Sequence, residues 1–341
     1  MKRHGNLWEK IIDLENIKLA HRFARKGKLF YTEVKMVDAD IDKYCLEIQQ
    51  MLVNKTFTTS KYEVSQRHDG RKQREIHKLP YFPDRIIQHA LLNIVGPIFV
   101  NSFIRDSFQS IRGRGTHDAM KRVKALVRSK DCPAYALKID VKKYYPSVNN
   151  DLLKAAVRRK IKCNDTLWLI DDIIDSTQGL PIGNYTSQHF GNLYLNSLDW
   201  YVKQHIKPKG YYRYCDDIVV FEKSVSKLLI IKQRIEDCLA MLRLQVKPNW
   251  SITNIVKNGI DFVGYRFYPA LTRLRRNIAH GFKKTCVWVR KRKNTVDKDT
   301  ALSKLMAYKG WIKSASAKRL WRQNISHGLV MMFPKQLRGA I

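Results

Sequence analysis

Apolar residues recur at helical spacing over WEKIIDLENIKLAHRF (8–23) and again over ADIDKYCLEIQQMLV (39–53), which predicts a helical segment for residues 1–60. RKGKLFYTEVK between them reads as a basic loop. Residues 61–80 alternate in the manner of strands around a turn at Asp69 and Gly70. FPDRIIQHALLNIVGPIF (82–99) then predicts a helix, with Pro83 in its first turn and Ile86, Ile87, Ala90, Leu91 and Ile94 on one face. A glycine-punctuated loop leads to a helix starting near Thr116, and AYALKIDV (134–141) reads as a strand. A helix over 149–160, a tight loop over 179–183 and a long helix through Lys203 follow. YYRYCD and IVVFEK read as two strands around an acidic pair, 224–242 as a helix, and GIDFVGYRFYP (259–269) as a strand pair. Helical spacing resumes from Leu271. Strands alternating with helices, then a helical tail, predict an α+β fold.

Charge changes the picture most. The 341 residues hold 64 Lys+Arg against 30 Asp+Glu, a formal net charge of +34. Such an excess opposes compaction by self-repulsion unless a polyanion is bound, so nucleic acid is the expected partner. Cations interleaved with Trp, Tyr and Phe suit a channel that holds phosphates and stacks bases. The tail after Leu271 carries 18 basic residues against 2 acidic ones, the mark of a basic helical subdomain. No apolar run is long enough to span a bilayer, so no membrane partner is expected, and the N-terminus lacks a signal-peptide pattern. The cysteines at 45, 132, 163, 215, 238 and 286 show no CxxC spacing, which argues against zinc or a disulfide framework and for a cytoplasmic setting.

The candidate chemistry lies in three aspartates. Asp216 and Asp217 sit inside the apolar run YRYCDDIVVF, where adjacent like charges repel. Asp140 ends the strand AYALKID. Successive strand side chains point to opposite faces, so the pair can serve one site only from the tip of a hairpin. A turn there is predicted, with Asp216 facing Asp140 and Asp217 more peripheral. Clustered carboxylates need a cation, and hard oxygen ligands suit Mg²⁺, with Mn²⁺ as the alternative. Two such ions about 4 Å apart can clamp the attacking and leaving oxygens of a phosphoryl transfer.

Together, LKIDVKKYYPSV (137–148), LPIGNYTSQHFGNLYLNSLD (180–199) and YCDD (214–217) resemble the three palm motifs of reverse transcriptases. GIDFVGYRF (259–267) resembles the primer grip, and RKQREIHKLPYFPDRIIQHAL (71–91) the fingers block that meets the incoming nucleotide. The resemblance runs collinearly over residues 60–270. It implies a right-hand polymerase with an antiparallel palm sheet. Its parts would be an N-terminal helical extension (1–60), fingers (61–133), palm (134–270) and a basic helical thumb (271–341). It implies Asp140, Asp216 and Asp217 as catalytic metal ligands, with the Val141 carbonyl touching metal. Tyr145 would be the steric gate against a ribose 2′-hydroxyl. Lys72, Arg74, Ile182, Gly183 and Gln188 would join it around the deoxynucleoside triphosphate, with Lys247 near the pyrophosphate. Phe262, Gly264 and Tyr265 would form the primer grip.

One departure narrows the family. Most members carry Gln before the second motif's glycine and Ser-Pro a few residues on; here Ile182 replaces the Gln and Gln188 the Pro. That pair resembles the reverse transcriptases of diversity-generating retroelements. These copy a template-repeat RNA into cDNA with errors mainly opposite adenine, and work with a small, basic, oligomeric accessory protein. Ile offers shape where Gln offers an amide, so lower fidelity is expected. The competing readings are a group II intron, retron or defence-type reverse transcriptase, and a non-catalytic RNA-binding scaffold.

Overall fold

A computed structural model describes residues 3–69, 72–292 and 295–325, with Leu329 and Phe333. The chain forms two compact units that interleave along the sequence. One comprises Met1–Ile111, Asp140–Lys207 and Lys232–Asn249, the other Arg112–Ile139, Pro208–Ile231 and Trp250–Ile341.

The first unit is mainly helical. Helix Ile86–Ser102 buries residues all round, including Ile86, Ile87, Leu91, Val95 and Phe99, as a central core helix must. Helix Leu14–Ala24 packs on it and buries Ile17, Ala20 and Ala24. Burying each Ile, Leu, Val or Phe side chain of this core contributes roughly 1.5–3 kcal/mol, and each Ala less. Asn16 crosslinks the layer, its Nδ2 donating to the carbonyls of Ile11 (3.0 Å) and Ala90 (3.1 Å). Strands β1 (Glu63–Asp69) and β2 (Lys72–Lys78) form the expected antiparallel ribbon, from Glu63↔Lys78 to Asp69↔Lys72. Gly70 of the predicted turn lies outside the described residues. A short strand β3 (Ser107–Phe108) completes the set.

Several local expectations are corrected. Pro83 precedes its helix instead of opening it, in a wide turn over Tyr81–Arg85. The residue before proline is driven out of the helical region, and Phe82 is extended at φ −110°, ψ 131°. Part of the basic loop is the helix Thr32–Ala39, which buries Val34 and Val37 but is too short for its period to stand out. The long helix breaks at Leu195 into Ser187–Tyr194 and Asn196–Tyr201, then ends in a wide turn over Val202–Ile206. Helix Asn164–Asp175 was not anticipated.

The second unit is built on a sheet in the order β5-β6-β4-β7. Strand β4 is Tyr135–Asp140, β5 Gly210–Tyr214, β6 Asp217–Glu222 and β7 Ser251–Asn254. The β5–β6 and β4–β7 pairs are antiparallel. A smaller sheet joins β8 (Ile260–Phe262), β9 (Tyr265–Phe267) and β10 (Thr272–Leu274). Helices Arg276–Lys291, Lys298–Ser314 and Lys318–Asn324 follow. They close on a core of Phe282, Cys286, Val289, Leu305, Ile312 and Trp321, with Phe282 and Trp321 stacked at 5.6 Å.

Candidate active site

The acidic pair stands at a hairpin tip. Tyr214 pairs with Asp217, leaving Cys215 and Asp216 as a two-residue loop between β5 and β6. Cys215 takes a left-handed conformation (φ 56°), which primed hairpin turns demand and glycine or asparagine usually supplies. A fully buried Arg213 supports it, donating from a guanidinium nitrogen to the Cys215 carbonyl at 2.9 Å. Asp216 is therefore a loop residue, and Asp217 opens β6. The Asp217 Oδ2 lies 3.3 Å from Lys138 Nζ.

Asp140 closes β4. Its carbonyl accepts the Lys247 backbone N–H at 2.8 Å, and Lys247 Nζ stands 3.8 Å from its Oδ1. The buried Val141 pairs with Val246. Tyr145 lies in the single turn Tyr144–Ser147, its ring edge-on to Tyr144 at 5.4 Å. Its carbonyl accepts the Leu180 N–H at 2.9 Å. The turn is thereby tied to the loop of the second motif.

That loop also docks on β2. The Ile182 carbonyl accepts the His77 N–H at 2.8 Å. Gly183 has φ 136°, and a Cβ there would stand 2.2 Å from the His77 carbonyl oxygen, so only glycine fits. β2 also carries the exposed Arg74, opposite Arg67, and begins at Lys72. Gln188 is exposed and accepts a hydrogen bond from Ser110 Oγ. It sits at the first turn of the following helix, one loop away from Ile182.

The first unit also holds a feature the sequence did not single out. A cavity of about 220 Å³ is lined by Lys28, Tyr31, Lys78, Arg85, Gln88 and Tyr185, among others. Arg85 makes no ion pair among the described residues. The adjacent Asp84 is fully buried and is bound by Ser60 through its N–H (3.0 Å) and Oγ (2.7 Å). Burial holds Arg85 below the usual arginine range, and burial and Arg85 together lower Lys28. Two mutually repelling cations beside aromatic walls create a demand for an anion. The available signal was Arg85 and Gln88 one helical turn apart on an otherwise apolar stretch.

Phe262 and Tyr265 are fully buried, and Tyr265 packs 5.2 Å from the Trp311 ring. Gly264 has φ 84°, and a Cβ there would fall 2.4 Å from that indole. These three residues build the β8–β9 hairpin from within.

The aspartate carboxylates are hard oxygen donors of the type that divalent cations prefer, and both Asp140 and Asp217 already attract an ammonium. The donor chemistry fits such an ion. Among the described residues no three His, Cys, Asp or Glu side chains form a ready-made metal cage. No described helix is long and apolar enough to cross a membrane.

The second unit thus carries an Asp-Asp pair at a hairpin tip, and the first a glycine loop docked on a basic ribbon. Residues 66–267 match the reverse transcriptase (RNA-dependent DNA polymerase) family, and the chain belongs to it. Members of this family use divalent metal ions. Protein YkfC of Escherichia coli (strain K12) is 26% identical over 245 residues, covering 57% of this chain and 63% of that protein. Apo telomerase from Candida tropicalis matches with a TM-score of 0.52 at 12% identity, over 83% of this chain and 56% of that one. The same telomerase in complex with a TWJ fragment of telomeric RNA matches with a TM-score of 0.51 at 12% identity, over 81% and 58%. The chain thus spans less than two thirds of these relatives, and the likeness to telomerase shows the fold, that of a right-hand polymerase.

Proposed function

We propose that this protein is an RNA-directed DNA polymerase that copies a template-repeat RNA into cDNA, with errors concentrated at template adenines, to diversify a target gene. The observation that carries the polymerase reading is the two-residue hairpin of Asp216 and Asp217, within the span that matches the reverse transcriptase family. Residues 61–133 act as fingers, 134–270 as palm and 271–341 as a basic thumb behind a helical extension over 1–60.

In this reading Asp140, Asp216, Asp217 and the Val141 carbonyl would hold Mg²⁺. Held there, such an ion would supply charge neutralisation and Lewis acidity for phosphoryl transfer. Lys247, beside Asp140, offers its ammonium to the departing pyrophosphate. Arg74 and Lys72 meet the triphosphate from β2, and the loop at Ile182 and Gly183 sets the distance of that ribbon. Tyr145 excludes the ribose 2′-hydroxyl by volume. The Lys28 and Arg85 cavity adds cationic purchase on nucleic acid. Phe262, Gly264 and Tyr265 shape the hairpin that steadies the primer. The partners are the template RNA, its cDNA hybrid, deoxynucleoside triphosphates and a small basic accessory protein, in the cytoplasm.

Ile182 and Gln188 in place of the usual Gln and Pro support the mutagenic role. The test is cDNA synthesis on an adenine-containing RNA template with Mg²⁺, beside Asp216→Asn, with RNA and accessory protein supplied and products sequenced. Synthesis lost in the variant, with errors opposite adenine in the parent, is expected. Accurate cDNA would move the protein to an intron- or retron-like role, and absence of cDNA would favour an RNA-binding scaffold.

A further inference from the structure

Four charged side chains of the second unit form an alternating network. Lys138 Nζ stands 3.3 Å from Asp217 Oδ2 and 3.9 Å from Asp261 Oδ1, and donates to the Asp261 carbonyl at 3.1 Å. Arg275 forks onto the same Asp261 carboxylate, with Nε at 3.1 Å from Oδ2 and a second nitrogen on Oδ1. Two carboxylates meet one ammonium and one guanidinium, so the group is formally neutral. Its members come from β4, β6, β8 and the residue that opens the helix Arg276–Lys291. None is fully exposed: Lys138 is 21% accessible, Asp217 22%, Asp261 29% and Arg275 37%.

The position of Lys138 is unusual. It sits in the interior of β4 between the fully buried Leu137 and Ile139. A partly desolvated ammonium there is unfavourable unless carboxylates offset it. It reaches two, and one of them belongs to the Asp-Asp hairpin. Asp216 and Asp217 side by side repel, so a cation at Asp217 relieves that repulsion before any metal arrives.

We propose that Lys138 is a displaceable counter-ion: it neutralises Asp217 while the metal is absent and moves onto Asp261 when a divalent cation takes Asp217. The proposal rests on the reading of Asp217 as a metal ligand. A divalent ion carries twice the charge of the ammonium and repels it, and Asp261 already lies within reach. Arg275 must then share Asp261 with Lys138. Its backbone N–H stays bonded to the Gly264 carbonyl at 2.9 Å, so the start of the basic helix keeps its anchor while the charges rearrange. Lys138 is a positioning residue that sets metal affinity and touches no substrate.

The test is Mn²⁺ binding to the full chain, followed by the paramagnetic resonance signal of free Mn²⁺, with circular dichroism as the control for folding. Lys138→Met removes the competing cation and should tighten the Asp217-dependent site about tenfold, a screened fraction of the full Coulomb effect. Asp261→Asn removes the ammonium's second position and should weaken that site several-fold. Unchanged or weaker binding in Lys138→Met overturns the proposal. If that variant does not fold, unchanged or tighter binding in Asp261→Asn overturns it instead. Asp217→Asn should abolish the site; a titration identical to the parent's would overturn the metal reading of Asp217, and the counter-ion proposal with it.

Discussion

Single positions carry much of the local chemistry. Gly183 is the sharpest, because its φ of 136° and the His77 carbonyl leave no volume for a side chain. Gly183→Ala should lower stability by roughly 1–3 kcal/mol and displace the loop from β2. A urea midpoint and a cDNA yield on one template would both fall. Ile182 differs, because its backbone carbonyl already holds His77 and its half-buried side chain is free to vary. Ile182→Gln should therefore leave synthesis intact and lower misincorporation opposite adenine by about tenfold, the worth of one polar contact in discrimination. Product sequencing reads this directly, and an unchanged error spectrum would sink the low-fidelity role of Ile182.

Elements show how caps and close approaches hold these positions. Asn149 was placed at the start of a helix from sequence, and its side chain accepts the Leu152 N–H at 3.0 Å, capping the helix Asn150–Arg158. Asn149→Ala should cost about 1 kcal/mol, visible in the urea midpoint with little change in nucleotide KM. The β8–β9 hairpin depends on Gly264 against Trp311 in the same way that the second-motif loop depends on Gly183 against His77. The hairpin at Asp216 was legible because the two-residue periodicity of a strand cannot send both aspartates to one side. The break at Leu195 was not legible, since the apolar period on either side continues through it. Helix Thr32–Ala39 escaped for the opposite reason, having only two buried residues to declare its face.

At the scale of the whole molecule, charge and burial set the response to salt and pH. For the proposed nucleic-acid partner, a net charge of +34 would make phosphate contacts the main source of affinity. Binding to an RNA–DNA hybrid should weaken at least ~100-fold between about 50 and 200 mM salt, which fluorescence anisotropy can measure. Folding has its own pH dependence. Burial, with Arg85, Lys28 and His189 nearby, pushes the His89 imidazole down to about 3, and burial pushes His189 down to about 4. His89 is stacked on Tyr185 at 3.6 Å, and neither ring nitrogen has a hydrogen-bond partner among the described residues. In the unfolded chain both rings protonate near ~6.5. Above that pH both states are neutral and nothing is lost. As pH falls below ~6.5 the unfolded state takes up protons first and stability declines, by at most ~1.4 kcal/mol per pH unit for each ring, down to the folded values. Urea midpoints at pH 7 and pH 5 should show the loss, and His89→Phe should roughly halve it.

The sequence by itself determined that this is a basic, mixed helix-and-strand chain of the reverse transcriptase family. Periodicity, charge and the order of short motifs are local or additive properties, and they survive without coordinates. Only the tertiary structure decided what meets across long separations. Lys138 meets Asp217 and Asp261, Gly183 meets His77, Asp84 is bound by Ser60, and Arg85 lines a cavity. Each of these depends on which backbone segments approach within a few ångströms. Pairing of that kind is fixed by the packing of whole elements and by the desolvation it imposes, so it leaves no trace in the spacing of residues along the chain.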